Sequence, residues 1–208
     1  FDRLIDDGFF DDFDTVIFYG AGLCGYAAAA YSVASPEARV LAVQPQATLD
    51  PRITEWDDRF TDMRRTDFTS HYGYAPDMLD ASAAAYVVYD PREDLDAMHA
   101  ALFTKSHTRK LRLRHMGNAI QTDLLEMELL APLLLSIAAN SLDDLTFARM
   151  MRARREHPPY LRNLLASLDG DGREMLAIAL AENVTARMHA PRFIRRLALA
   201  AQSDSKDD

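Results

Sequence analysis

Thr15-Val16-Ile17-Phe18-Tyr19-Gly20-Ala21-Gly22-Leu23-Cys24-Gly25 is the stretch that decides the fold. Its first five residues are β-branched or aromatic, the composition of a buried strand. The alanine-rich stretch from Tyr26 to Tyr31 that follows has high helix propensity. Between them lies a turn with glycines at 20, 22 and 25. Glycine-rich turns between strand and helix serve two chemistries. One presents a reactive side chain on a strained turn. The other lets a pyrophosphate approach a helix N-terminus.

Outward from this turn, strand-like and helix-like segments alternate. The pattern predicts strands at Thr15–Tyr19, Arg39–Val43, Ala84–Tyr89 and Thr108–Arg114, with helices at Cys24–Ala34 and Glu93–Phe103. Strands separated by helices imply parallel pairing. After His115 the signals are helical only. Asn118 and Gln121 resemble a capping box, Pro132 is expected to kink or end that helix, and Ser141 is expected to cap the next. His157-Pro158-Pro159 breaks it, Asp169-Gly170-Asp171-Gly172 reads as a helix–helix turn, and Pro191 opens a last helix. The expected class is α/β, a mainly parallel sheet over 1–117 followed by an α-helical carboxy-terminal region over 118–202. A disordered tail is expected over 203–208.

The formal charge is −9 over 208 residues, and it is uneven. Residues 1–100 hold 7 basic and 19 acidic side chains, and the remainder 16 and 13. A phosphate-tracking surface needs concentrated positive charge, so nucleic-acid binding is disfavoured. Arg149, Arg152, Arg154 and Arg155 form the densest basic cluster and read as a solvated helix face. No apolar run approaches bilayer length. Cys24 is the single cysteine, which excludes an internal disulfide and makes a reducing, cytoplasmic compartment the default. No cofactor or metal is expected. The chain opens at Phe1 rather than Met, so a preceding portion is expected to be missing.

Gly20, Gly22 and Gly25 satisfy G-x-G-x-x-G in the right context for a dinucleotide. The ribose-binding acid expected after the next strand is replaced by Gln44. The alternative pattern, small-x-nucleophile-x-small, puts Gly20 and Cys24 at the small positions and Gly22 at the nucleophile position. Asp90 follows the third strand and His115 the fourth, giving the order nucleophile, acid, histidine.

Phe18-Tyr19-Gly20-Ala21-Gly22-Leu23-Cys24-Gly25-Tyr26 resembles the Phe-Tyr-Gly-x-Ser-Met-Gly-Gly-Tyr elbow of α/β-hydrolase-like proteins linked to bacterial surface glycans and accessory secretion. Val43-Gln44-Pro45-Gln46, with Asp50 following, is similar to the Pro-Gln segment after the next strand in those proteins. The resemblance covers residues 14–117. It implies a partial hydrolase-like sheet, since the opening strands of a complete domain and one oxyanion-hole loop have no counterpart in this sequence. The chain is therefore either a fragment or a reduced fold. Gly22 stands where the family has serine, so the esterase or acyltransferase activity the resemblance implies lacks its attacking oxygen.

The leading expectation is a non-catalytic, hydrolase-like protein that binds a small molecule, a glycan or a protein partner, in surface-glycan metabolism. Two alternatives stay open: an esterase or acyltransferase using Cys24, His115 and Asp90, and a dinucleotide-binding module using Gly20, Gly22 and Gly25. Cys24 lies near a helix N-terminus, which favours thiolate. It otherwise reads as a small buried residue allowing close packing. Asp90 has a second reading as a helix cap, and His115 as a polar loop residue. Residues 56–74, with Asp57, Arg59, His71 and Tyr72, lie where such folds place a cover, either binding a polar ligand or shielding the sheet edge. His99 reads as a surface or boundary residue in mid-helix.

Overall fold

The computed structural model describes residues 1–69 and 71–204. They form two compact units, Phe1–Ala153 and Arg154–Asp208. The first unit begins with α1 (Asp2–Asp6), β1 (Ile17–Ala21), α2 (Leu23–Ala30) and β2 (Arg39–Val43). Short helices α3 (Pro51–Thr54) and α4 (Ala75–Met78) precede β3 (Ala84–Tyr89), α5 (Asp94–Leu102) and β4 (Thr108–Arg112). Helices α6 (Ile120–Glu126), α7 (Leu130–Ala138) and α8 (Asp144–Met150) complete it.

The strands form one parallel sheet in the order β1-β2-β3-β4, with Ile17 opposite Arg39, Arg39 opposite Ala84 and Ala85 opposite Thr108. Each crossover therefore places the next strand beside the last. Alternate residues of one face, Phe18, Val40, Ala42, Ala85, Val87 and Tyr89, join Ala29 and Ala30 of α2, Leu79, and Ala100 and Phe103 around α5 in one core. The small alanines of α2 let that helix lie close to the sheet. The other face is buried too: Leu41, Tyr86 and Val88 are all covered. There Arg39 Nη1 donates to Ala138 O at the end of α7 at 2.6 Å. Arg109 Nη1 donates to Leu142 O at 2.9 Å. Two covered faces are what a parallel sheet requires.

Several boundaries differ from the sequence reading. β1 runs two residues further, to Ala21, because the ladder to β2 continues through Gly20 and Ala21. β4 ends at Arg112, although Leu113 N still donates to Tyr89 O at 2.8 Å. Asn118 does not cap α6. The buried first-turn N–H of Ile120 is instead satisfied by Gln44 Oε1 at 3.0 Å, a side chain 76 residues away. Pro132 sits in the first turn of α7, where a proline costs no helical hydrogen bond, and α6 has already ended. The cap of α8 is Asp143, which accepts from Thr146 N, rather than Ser141.

The second unit contains α9 (Pro158–Gly170), α10 (Glu174–Arg187) and α11 (Pro191–Asp204). Leu161 and Leu165 of α9, Ala177, Ala181 and Val184 of α10, and Phe193 of α11 form its core. Gly172, at φ 65°, makes the turn between α9 and α10. The backbone of 203 and 204 continues α11, and the rest of the tail expected to be disordered lies outside the described residues.

Phe103, 1% exposed, anchors α5 to the sheet. Phe103→Ala is expected to lower unfolding free energy by about 3–5 kcal/mol, read from urea denaturation followed by circular dichroism.

Candidate functional site

The site is built where the strands end. Gly20 comes so close to α2 that an added Cβ would lie 2.0 Å from the carbonyl oxygen of Cys24. Gly25 is the second tight position, with Val43 O and Pro45 Cβ each 3.2 Å from a hypothetical Cβ. Position 24 needs no small residue, and Cys24 is exposed. This corrects the reading of Cys24 as a buried packing residue: closeness is supplied by the glycines on either side of the turn.

Between them, Gly22 holds φ 56° and ψ −125°, a conformation that L side chains rarely adopt. Its N–H donates to Val43 O at 2.9 Å, and its carbonyl accepts the first helical bond from Tyr26 N at 3.0 Å. Nothing lies within 4 Å of a Cβ added there. A side chain at 22 would therefore project into open space, on a turn pinned to both strand and helix.

Gly22 lines a cleft of about 330 Å³ at the carboxyl ends of β1 and β2. Gln44, Gln46, Arg59, Phe60 and Asp96 form a wall of it, and Asn118, Ala119, Gln121 and Thr122 line it as well. Ligands of open α/β sheets bind at this end. Gln44 has φ 48° and His115 φ 67°, so two non-glycine residues just beyond strands occupy strained backbone at the same end of the sheet.

A continuous network supports the cleft. Gln44 Nε2 donates to Asp96 Oδ2 at 2.6 Å. Asp96 Oδ1 accepts from Arg59 Nη1 at 2.6 Å. Arg59 also bonds Asp57 through Nε and Nη2, at 3.0 and 2.8 Å. Asp57 Oδ2 lies 2.8 Å from His99 Nε2, and His99 Nδ1 accepts from Ala47 N at 3.1 Å. Because a backbone N–H can only donate, His99 carries its proton on Nε2 and gives it to Asp57. His99 is 0% exposed, with the Trp56 ring 4.6 Å from its own. It is a buried strut, not the surface residue expected from its mid-helix position.

Electrostatics follow from this wiring. Burial pushes the Asp57 carboxyl up, but hydrogen bonds from Arg59 and His99 outweigh it and hold the pKa at about 2. Burial holds the His99 pKa below its usual 6.5, against the pull of Asp57. Burial, then the neighbouring Asp90 and Asp96 carboxylates, push the Glu93 pKa up against the opposing pull of Arg59.

Asp90 is buried at the end of β3. Oδ1 accepts from Arg92 N at 2.9 Å and Oδ2 from Gly117 N at 2.8 Å. It thus ties β3 to the turn that carries His115, two residues before Gly117. The N-cap of α5 is Glu93, so Asp90 is a cross-strand tie rather than the helix cap. Cys24, in the first turn of α2, points to solvent, and neither it, Asp90 nor His115 lines the cleft. Residues 57 and 59, from the segment read as a cover, do reach the cleft through the network; His71 is exposed and Tyr72 Oη donates to Asp2 Oδ1 at 2.6 Å.

The sequence carried a usable sign of the missed wall. Asp96 and His99 are three apart on one helix, which places both on the face that meets the sheet. Gln44 and Gln46 stand just past a strand end. Comparison with protein-family models, curated proteins and solved structures finds no match.

Gly20→Ala is expected to cost about 3 kcal/mol or more, because backbone must move. Gly22→Ala is expected to cost about 1–3 kcal/mol, from backbone strain alone. Paired urea titrations of the two variants measure both. Stability is also expected to fall with acid. The unfolded chain protonates His99 near pH 6.5 while the native state resists, so its contribution is full above 6.5 and is lost below it. Asp57 adds a second loss as pH falls from 3.8 towards 2. His99→Gln is expected to remove the first loss and keep the second, read as urea midpoints against pH.

Proposed function

We propose that this chain is an α/β-hydrolase-like protein without a catalytic nucleophile, and that its strand-end cleft binds a ligand. The observation that carries the reading is Gly22: its φ 56° and ψ −125° are compatible with the strained strand-to-helix turn expected of an elbow, and it lines a cleft, with no side chain to attack. The sheet supports it. Four parallel strands in consecutive order carry the elbow after the first, Asp90 after the third and the His115 turn after the fourth. Asp90 bonds the backbone of that turn. A function in surface-glycan metabolism, in the cytoplasm, follows from the sequence resemblance and the single free cysteine.

The alternatives find less support. Cys24 lies in solvent, outside the cleft, and so lacks a desolvated site in which to hold an acyl group. A dinucleotide fold binds where the strand order reverses beside its first strand. Here β1 has only β2 as a neighbour among the described strands, and no reversal occurs there. Gln44, at the ribose position, is already committed to Asp96 and Ile120.

The expected outcome is no labelling of the purified chain by a fluorophosphonate probe, and no hydrolysis of p-nitrophenyl butyrate above the uncatalysed rate. Labelling or turnover abolished by His115→Ala would overturn the reading.

A further inference from the structure

We infer that the cleft beside Gly22 binds an uncharged, hydroxyl-rich ligand of monosaccharide size. The inference rests on the proposed function, which makes this cleft the binding site.

The first observation is Gln46. It lines the cleft, is 2% exposed, and its Oε1 is buried without a hydrogen-bond partner among the described residues. A buried polar atom left unpaired costs free energy and calls for an explanation. A hydroxyl group arriving from the cleft supplies the missing donor, and the amide NH₂ can donate in return.

The second observation is which groups are already spent. Both oxygens of Asp96 are taken, by Gln44 and Arg59. Both oxygens of Asp57 are taken, by Arg59 and His99. Arg59 divides its charge between these two acids. The one cation of the wall is therefore neutralised twice over. An anionic ligand would meet a net negative surface, and a cationic one would find no carboxylate oxygen on this wall without a partner. What remains for recognition are neutral groups: the amides of Gln46, Asn118 and Gln121 and the hydroxyl of Thr122. Amides and hydroxyls both donate and accept, as sugar hydroxyls do. The Phe60 ring adds an apolar surface for a sugar's C–H face.

The third observation is size. At about 330 Å³, the cleft is at the small end of ligand sites. It suits one pyranose ring and is too small to enclose a dinucleotide.

The test is titration of the isotopically labelled chain, followed by amide NMR, with methyl β-D-glucopyranoside, N-acetyl-D-glucosamine, glucose 6-phosphate and NAD. Saturable shifts at Gly22, Gln46 and residues 118–122 with at least one neutral sugar are expected, with glucose 6-phosphate and NAD at least about tenfold weaker. Gln46→Met, similar in volume, is expected to weaken sugar binding about tenfold or more while the melting temperature stays level or rises. A purely structural Gln46 would lower the melting temperature instead. If a charged probe shifts these residues more strongly than either sugar, the ligand class is wrong while the cleft remains the site. If no probe shifts them up to roughly 10 mM, both the ligand class and the cleft as binding site fall. Sugar binding unaffected by Gln46→Met also overturns the inference.

Discussion

Everything at the strand ends depends on one contact, the approach of Gly20 to the carbonyl of Cys24. No other residue leaves room for it. With the helix drawn in this far, the chain must turn within the single residue Gly22, and that residue is forced to positive φ. The same closeness explains the alanines at 29 and 30, both buried in the core against the sheet. Larger side chains there would push α2 outward and open the turn. Sheet packing and site geometry are thus one constraint seen at two ends of a helix.

The second layer is polar and equally tight. Gln44 connects three segments distant in sequence: its own strand end, α5 through Asp96, and α6 through Ile120 N. Arg59 and His99 connect the segment after β2 to α5. A bare buried carboxylate would be costly, but Asp57 and Asp96 each have two partners, so the cost of burial is met locally. The network takes the place of apolar packing at the end of the sheet, beside the cleft.

The sheet was legible in the sequence because β-branched runs alternate with helical ones, and the strands at 39–43 and 84–89 coincide with the runs themselves. Caps were less legible. Asn118 and Ser141 have the right side chains at plausible spacings, yet Ile120 N is satisfied by Gln44, just beyond the end of β2. Local pattern cannot reveal a partner 76 residues away. The site was half legible. The strained turn at Gly22 follows from a strand end, whereas Asp90 and His115, read from strand ends in the same way, do not line the cleft, and His99 reads as peripheral until the sheet and the segment after β2 close over it. Cys24 misleads for a related reason: the small positions flanking the turn are 20 and 25, so spacing alone assigns the tight role to the wrong neighbour.

The doubly held Arg59 has a kinetic consequence. It fastens the segment beyond β2 to α5, so that wall could swing only by breaking ion pairs at the edge of the core. For the ligand proposed above, a pocket with fixed walls would offer no closing flap. Its exchange would then be fast, governed by diffusion through the open mouth, with residence times short and little entropy lost in shaping the protein.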